Sequence, residues 1–334
     1  MTFHLGKLAA LGPAAVLIVG SLAATSATAQ TPPGALIADG TLTVNGSNEA
    51  DAIVLRLASG APGTLEVDLD DDGVAEFALD RSTFTRISVL AGNGDDQIRI
   101  DQVNGSFADE AITVAGGNGG DGFTGGDGAE LFLGGRGDDT ADGNRGVDTA
   151  SFGSGDDTFV WDPGDGSDVL EGQDGFDTMV FNGAGGPEQV DLSANGSRLK
   201  LFRTQGTITM DTAGVEQVDF NGLGGADDVV VGDLTGTDVT QVNVDLAGEL
   251  GGATGDGQAD RIIVTGTNGD DHIDVSGNAD DVQVSGLAAV TRILHSEVAR
   301  DRLEINTLLG ADTVEAGGLS AGAIQLLIDG VPVP

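Results

Sequence analysis

Residues 116–151 read GGNGGDGFT, GGDGAELFL, GGRGDDTAD and GNRGVDTAS, units of nine residues joined end to end. FGSGDDTFV follows at 152–160, and after Trp161-Asp162 the phase resumes as PGDGSDVLE and GQDGFDTMV. The fourth place holds Gly119, Gly128, Gly137, Gly146 and Gly155. The sixth holds Asp121, Glu130, Asp139, Asp148, Asp157, Asp168 and Asp177. The eighth holds Phe123, Phe132, Ala141, Ala150, Phe159, Leu170 and Met179. One apolar side chain in a short stretch between glycine turns specifies a strand, because a helix needs several turns to form. Turn and strand at a fixed period make a solenoid, whose coils bury their apolar residues only by stacking. Glycine supplies the positive φ that such tight turns need.

Longer repeats flank this segment. Val44-Asn45-Gly46-Ser47-Asn48 and Asp51-Ala52-Ile53 match Val264-Thr265-Gly266-Thr267-Asn268 and Asp271-His272-Ile273, 220 residues later. Ile87–Ile98, Val218–Val229 and Leu303–Val314 share a second unit: an alternating strand, a glycine-acid turn (Gly94-Asp95-Asp96, Gly225-Ala226-Asp227, Gly310-Ala311-Asp312) and another β run. Further alternating segments are Arg198–Arg203, Thr207–Asp211, Val239–Leu246 and Arg261–Thr265, while Gly251–Gln258 reads as turns. Leu287–Arg302 is the one stretch beyond the N-terminus that could form a short helix. The expected fold is all-β, a β-solenoid with flanking β-repeat segments.

The 334 residues include 56 glycines, 54 acidic and 14 basic residues and no cysteine, for a net charge of −40. That charge excludes nucleic acid and anionic membrane surfaces as partners. The lack of cysteine excludes disulfides, thiolate catalysis and cysteine zinc sites. If two repeats make one coil, acids about 18 residues apart stand above one another on the same edge. Stacked carboxylates at strand spacing repel unless cations lie between them. Carboxylates and turn carbonyls, with no His or Cys in the repeats, select a hard cation. Calcium suits loose, many-oxygen turns better than magnesium does.

These copies resemble the repeats-in-toxin (RTX), or haemolysin-type, calcium-binding repeat G-G-x-G-x-D-x-U-x. The resemblance covers residues 116–182 and implies a parallel β-roll with calcium between turns two repeats apart. It implies as ligands the sixth-place Asp121, Asp139, Asp148, Asp157, Asp168 and Asp177, together with the turn positions Gly119, Gly137 and Gly155. Glu130 departs from the pattern, Asn144 and Phe152 replace expected glycines, and Trp161-Asp162 lengthens the spacing to 20.

Residues 1–29 carry no acid. Lys7, the apolar run Leu8–Ala24 and Ala27-Thr28-Ala29 have the layout of a cleavable secretory signal peptide. The run is broken by Gly12, Pro13 and Gly20, and nothing after it could span a bilayer. The family usually carries an uncleaved C-terminal export signal, to which Ile328–Pro334 is no match, so export by the general pathway is expected. The organisation read here is a signal peptide at 1–29, an N-terminal β-repeat segment at 30–115, the calcium roll at 116–182 and a C-terminal β-repeat segment at 183–334.

Other motifs are weaker. Asp68-x-Asp70-x-Asp72-Gly73 resembles the start of an EF-hand loop, but Leu79 stands at the twelfth place and strand patterns flank it. A hairpin turn is one reading, and a calcium-binding turn using Asp68, Asp70, Asp72 and Glu76 the other. Gly318-x-Ser320-x-Gly322 matches a hydrolase elbow, but no His follows His295. Gly117-x-Gly119-x-x-Gly122 lies inside the repeat and opens no helix. Arg198, Lys200 and Arg203 read as a solvated strand face, and Trp161 as a packing residue.

The expectation is a secreted, extracellular calcium-ion-binding β-roll protein, non-catalytic, loaded with several calcium ions and folded by them after export. The alternative is a cell-surface or matrix adhesin or polysaccharide-binding scaffold with an unidentified glycan or surface partner. A carbohydrate-active β-helix enzyme is a third reading.

Overall fold

The structure, a computed structural model, describes residues 32–333; the expected signal peptide at 1–29 lies outside them. The described residues form a β-solenoid with no α-helix. Its strands lie in two long sheets, of 15 and 14 strands, in which most neighbours pair in parallel. The nine-residue repeats place successive strands alternately in the two sheets. Ala111–Asn118, Glu130–Arg136, Thr149–Ser154 and Val169–Asp174 are consecutive rungs of one. Gly122–Thr124, Thr140–Asp142, Thr158–Trp161 and Thr178–Asn182 are consecutive rungs of the other.

Register follows the repeat. Phe132 stands opposite Ala150, and Ala150 opposite Leu170. In the facing sheet Ala141 lies between Phe123 and Phe159, which is followed by Met179. All of these eighth-place side chains are buried. Phenylalanine beside alanine along each row fills the narrow interior without overpacking it. Trp161 is buried too, stacked on Phe181 with ring centroids 4.1 Å apart. Its Nε1 donates to the Gly166 carbonyl (2.8 Å), so the turn lengthened by the insertion meets the indole's polar edge.

The two edges of the roll are not equivalent. In the first sheet the strands run past the apolar position into the next unit and pair through its second place, so Gly92, Gly117, Gly135, Gly153 and Gln173 stand in one row. The facing strands stop before their turns. Strands as short as three residues, Gly122–Thr124 and Thr140–Asp142, therefore occur in the facing sheet of the roll only.

Antiparallel meanders interrupt the coils. Ala52–Ala58, Ala61–Asp68 and Phe77–Asp80 form one, Gln189–Asn195, Arg198–Arg203 and Ile208–Ala213 a second, and His272–Asn278, Asp281–Ser285 and Val290–Leu294 a third. The first and third follow the two copies of the long repeat. Two expectations are corrected. Leu287–Arg302 contains the strand Val290–Leu294 rather than a helix, because Thr291 and Ile293 alternate into the core. Arg203 is not on a solvated face: it continues the inward row of Leu199 and Leu201 and is buried.

Candidate metal centre

The repeat puts its sixth-place acids immediately before a strand, where the chain turns inward and the carboxylate enters the coil. Asp121, Asp139, Asp148, Asp157, Asp168 and Asp177 are all at most 3% exposed. On one edge they form a ladder. The N–H of Asp121 donates to Oδ1 of Asp139 (2.8 Å), that of Asp139 to Asp157 (2.7 Å), and that of Asp157 to Asp177 (2.9 Å). On the other edge Glu130 N–H donates to Oδ1 of Asp148 (2.7 Å), and Asp148 N–H to Asp168 (2.9 Å). Glu130, doubtful from the sequence, is buried and takes its place in the second ladder.

Each of these aspartates has only one oxygen engaged in a rung. Oδ2 of Asp121, Asp139, Asp148, Asp157, Asp168 and Asp177 is buried with no hydrogen-bond partner. No ion pair reaches any of them among the described residues. Close approach of the turn makes these pockets possible. A Cβ on Gly116, Gly134, Gly143 or Gly172 would fall on Oδ2 of the aspartate five residues on. Gly119, Gly137 and Gly155 stack so that a Cβ on each would collide with the glycine carbonyl of the coil before it, in turn Gly94, Gly119 and Gly137.

Burial, opposed by the rung N–H, raises these carboxyls. Asp121, Asp157 and Asp177 are pushed up to about 6, Asp139 and Asp168 to about 7, and Asp148 to about 8. A buried carboxyl needs either a proton, whose O–H then needs an acceptor, or a cation on the free oxygen.

Several other buried or half-buried acids find partners within the chain. Asp51, Glu130, Glu188, Asp271 and Asp301 each accept the N–H of the residue four positions earlier. Glu188 also takes Arg203, with Nε 2.6 Å from Oε2 and Nη2 2.7 Å from Oε1. At Asp121, Asp139, Asp157 and Asp177 the residue four earlier is Gly117, Gly135, Gly153 or Gln173. These are the residues drawn into the sheet.

Ladders also run outside the repeats, which sequence reading missed. Asp51 N–H donates to Asp96 (2.8 Å) and Asp96 N–H to Asp121 (2.9 Å). Glu188, Asp227, Asp260 and Asp301 form another run, with rungs of 2.8, 2.9 and 3.1 Å. A signal was present: Ala91–Arg99 reads AGNGDDQIR, the nine-residue pattern with alanine in the first place.

The hairpin Ala61–Asp68 with Phe77–Asp80 answers the EF-hand-like motif. Carboxylate oxygens of Asp68, Asp70 and Glu76 lie within 4.8 Å of one another and could hold a metal. Asp72 instead accepts the N–H of Val74, and Arg56 Nη1 holds Asp68 Oδ2 at 2.8 Å. Ser320 follows the strand Thr313–Leu319 and opens no helix, and Gly122 opens the strand Gly122–Thr124. No family model and no curated protein matches the chain.

Proposed function

We propose that the protein is a secreted, non-catalytic calcium-binding β-roll whose roll folds around calcium after export, as its likeness to the RTX repeat implies. The observation that carries this reading is the free Oδ2 in each of Asp121, Asp139, Asp148, Asp157, Asp168 and Asp177. The donor set fits calcium: hard carboxylate oxygens, stacked glycine carbonyls and no nitrogen or sulfur. Glu188 with Arg203 is an internal contrast, a buried acid for which the chain provides its own cation. Calcium on the roll would do the same for its aspartates.

Equilibrium dialysis of the mature chain after chelator treatment tests the reading. Several calcium ions per chain at millimolar calcium, with Asp139→Asn and Asp148→Asn each binding fewer, is the expected result. Weak, non-saturating uptake unchanged by either substitution would contradict it. Magnesium at equal concentration should compete poorly, since it requires a tight octahedron and keeps its waters. Comparable calorimetric affinities for the two ions would mean a diffuse acidic surface.

A further inference from the structure

We propose that the calcium column begins one coil before the nine-residue repeats, with Asp96 as its first ligand. The inference rests on the roll binding calcium. Asp96 is 0% exposed, and its Oδ1 accepts the Asp51 N–H while its Oδ2 is buried without a partner. This is the division of oxygens found at Asp121, Asp139, Asp157 and Asp177.

Its turn is also built like theirs. Gly94 N–H donates to the Asn118 carbonyl (2.8 Å), as Gly119 N–H does to Arg136 (2.7 Å) and Gly137 N–H to Ser154 (2.8 Å). A Cβ on Gly117 or Gly119 would collide with the carbonyl of Gly92 or Gly94, the relation that Gly135 and Gly137 bear to Gly117 and Gly119. The turns at Gly92–Asp96 and Gly117–Asp121 are therefore stacked in the same manner, although 25 residues rather than 18 separate their acids. The extra length is taken up beyond the strand Gln97–Asp101, on the edge opposite the Asp96–Asp121 ladder.

The column also has a defined end. Gly92, four residues before Asp96, is drawn into the sheet opposite Gly117 and leaves Oδ2 free. Ser47, four residues before Asp51, instead donates its N–H to Oδ2 (2.5 Å) and its hydroxyl to Oδ1 (3.1 Å). Asp51 is thus satisfied by the chain, and Asp96 is the first acid on this edge that is not.

The test is calcium stoichiometry of the full mature chain carrying Asp96→Asn, Asp51→Asn or Asp139→Asn. Asparagine keeps the Oδ1 acceptor for the rung and removes the charge. Asp96→Asn should lose about one ion per chain and Asp51→Asn none. If Asp139→Asn loses calcium and Asp96→Asn does not, the column starts at Asp121: the inference fails and the roll reading stands. If no variant loses calcium, both fail. Hydrogen exchange of the unmodified chain keeps the test decisive should Asp96→Asn not fold. Amides 92–97 should gain protection at the same calcium midpoint as amides 117–122. Equal protection of 92–97 in chelator would overturn the inference.

Discussion

Asp139 sits in the middle of its ladder, taking the Asp121 N–H on Oδ1 and giving its own to Asp157. Its Oδ2 is free, and in the proposed column a middle ligand would serve one ion toward Asp121 and one toward Asp157. Asp139→Ala should weaken two sites, leave unpaired charge beside them and lower calcium cooperativity. Glu130 has one oxygen on Gly126 N–H (3.0 Å) and none in the orphan state, so Glu130→Ala should do less. Bound calcium per chain and the calcium midpoint of folding check both. Glu130→Ala matching or exceeding Asp139→Ala would contradict the assignment. The same carboxyls give the metal-free chain a pH dependence. Their folded-state pKa values, raised by burial to between about 6 and about 8, lie above the 3.8 of an ordinary aspartate. Protons then favour the metal-free fold most below about pH 4, and that stabilisation is lost as pH rises through 6 to 8. In chelator, β structure of the roll should be retained in mild acid and lost toward pH 8, while saturating calcium should remove the dependence. A titration in chelator that shows greater stability at pH 8 than at pH 5 would count against the buried ladder.

The element that makes the site is the glycine turn between stacked strands. Gly134 illustrates it: a methyl there would fall on Asp139 Oδ2 and also lie 2.6 Å from the Phe152 carbonyl. Gly134→Ala should cost about 1–3 kcal/mol, the range for overpacking a tight site, and reduce calcium affinity. Gly185→Ala has nothing within 4 Å of the added atom and should change stability by no more than about 0.5 kcal/mol. Chemical denaturation in fixed calcium compares the two, and equal effects would remove the close approach as the reason for glycine. At this scale much was legible in the sequence. Glycine at the fourth place, acid at the sixth and an apolar residue at the eighth map directly onto turn, ladder and core, because each coil reuses the same contacts. Three features were not legible. The period does not say on which edge pairing continues through the second place. Nor does the alternation of Arg198–Arg203 distinguish an exposed arginine from one aimed at a carboxylate, since Glu188 lies outside its local pattern. Asp96 escaped because Ala91 breaks the glycine pattern while the backbone behind it keeps the same course.

Across the whole molecule, the roll joins flanking coils whose charges are compensated differently. Outside it, the buried Asp68, Glu110 and Glu188 meet Arg56, Arg81 and Arg203, whereas the buried Asp96, Asp227 and Asp260 meet no arginine among the described residues. Within residues 116–182 the arginines are Arg136 and Arg145, and Arg145 is exposed, 3.7 Å from Asp127. At net charge −40, the proposed function makes the roll the part whose folding would depend most on an outside cation. Extracellular sites with dissociation constants of ~10⁻⁴–10⁻³ M, at tenfold to hundredfold higher free calcium, contribute roughly 1.4–2.7 kcal/mol each. Several together reach the total stability of an ordinary domain. Trp161, the chain's one tryptophan, is buried inside the roll against Phe181 and reports on its folding. The most direct measurement follows Trp161 fluorescence and far-ultraviolet circular dichroism of the mature chain at pH 8, first in chelator and then through a calcium titration. A solvent-exposed emission with reduced β signal in chelator, and a cooperative shift to a buried emission with full β signal by millimolar calcium, is the expected result. A buried Trp161 and unchanged β spectrum in chelator would contradict calcium-gated folding.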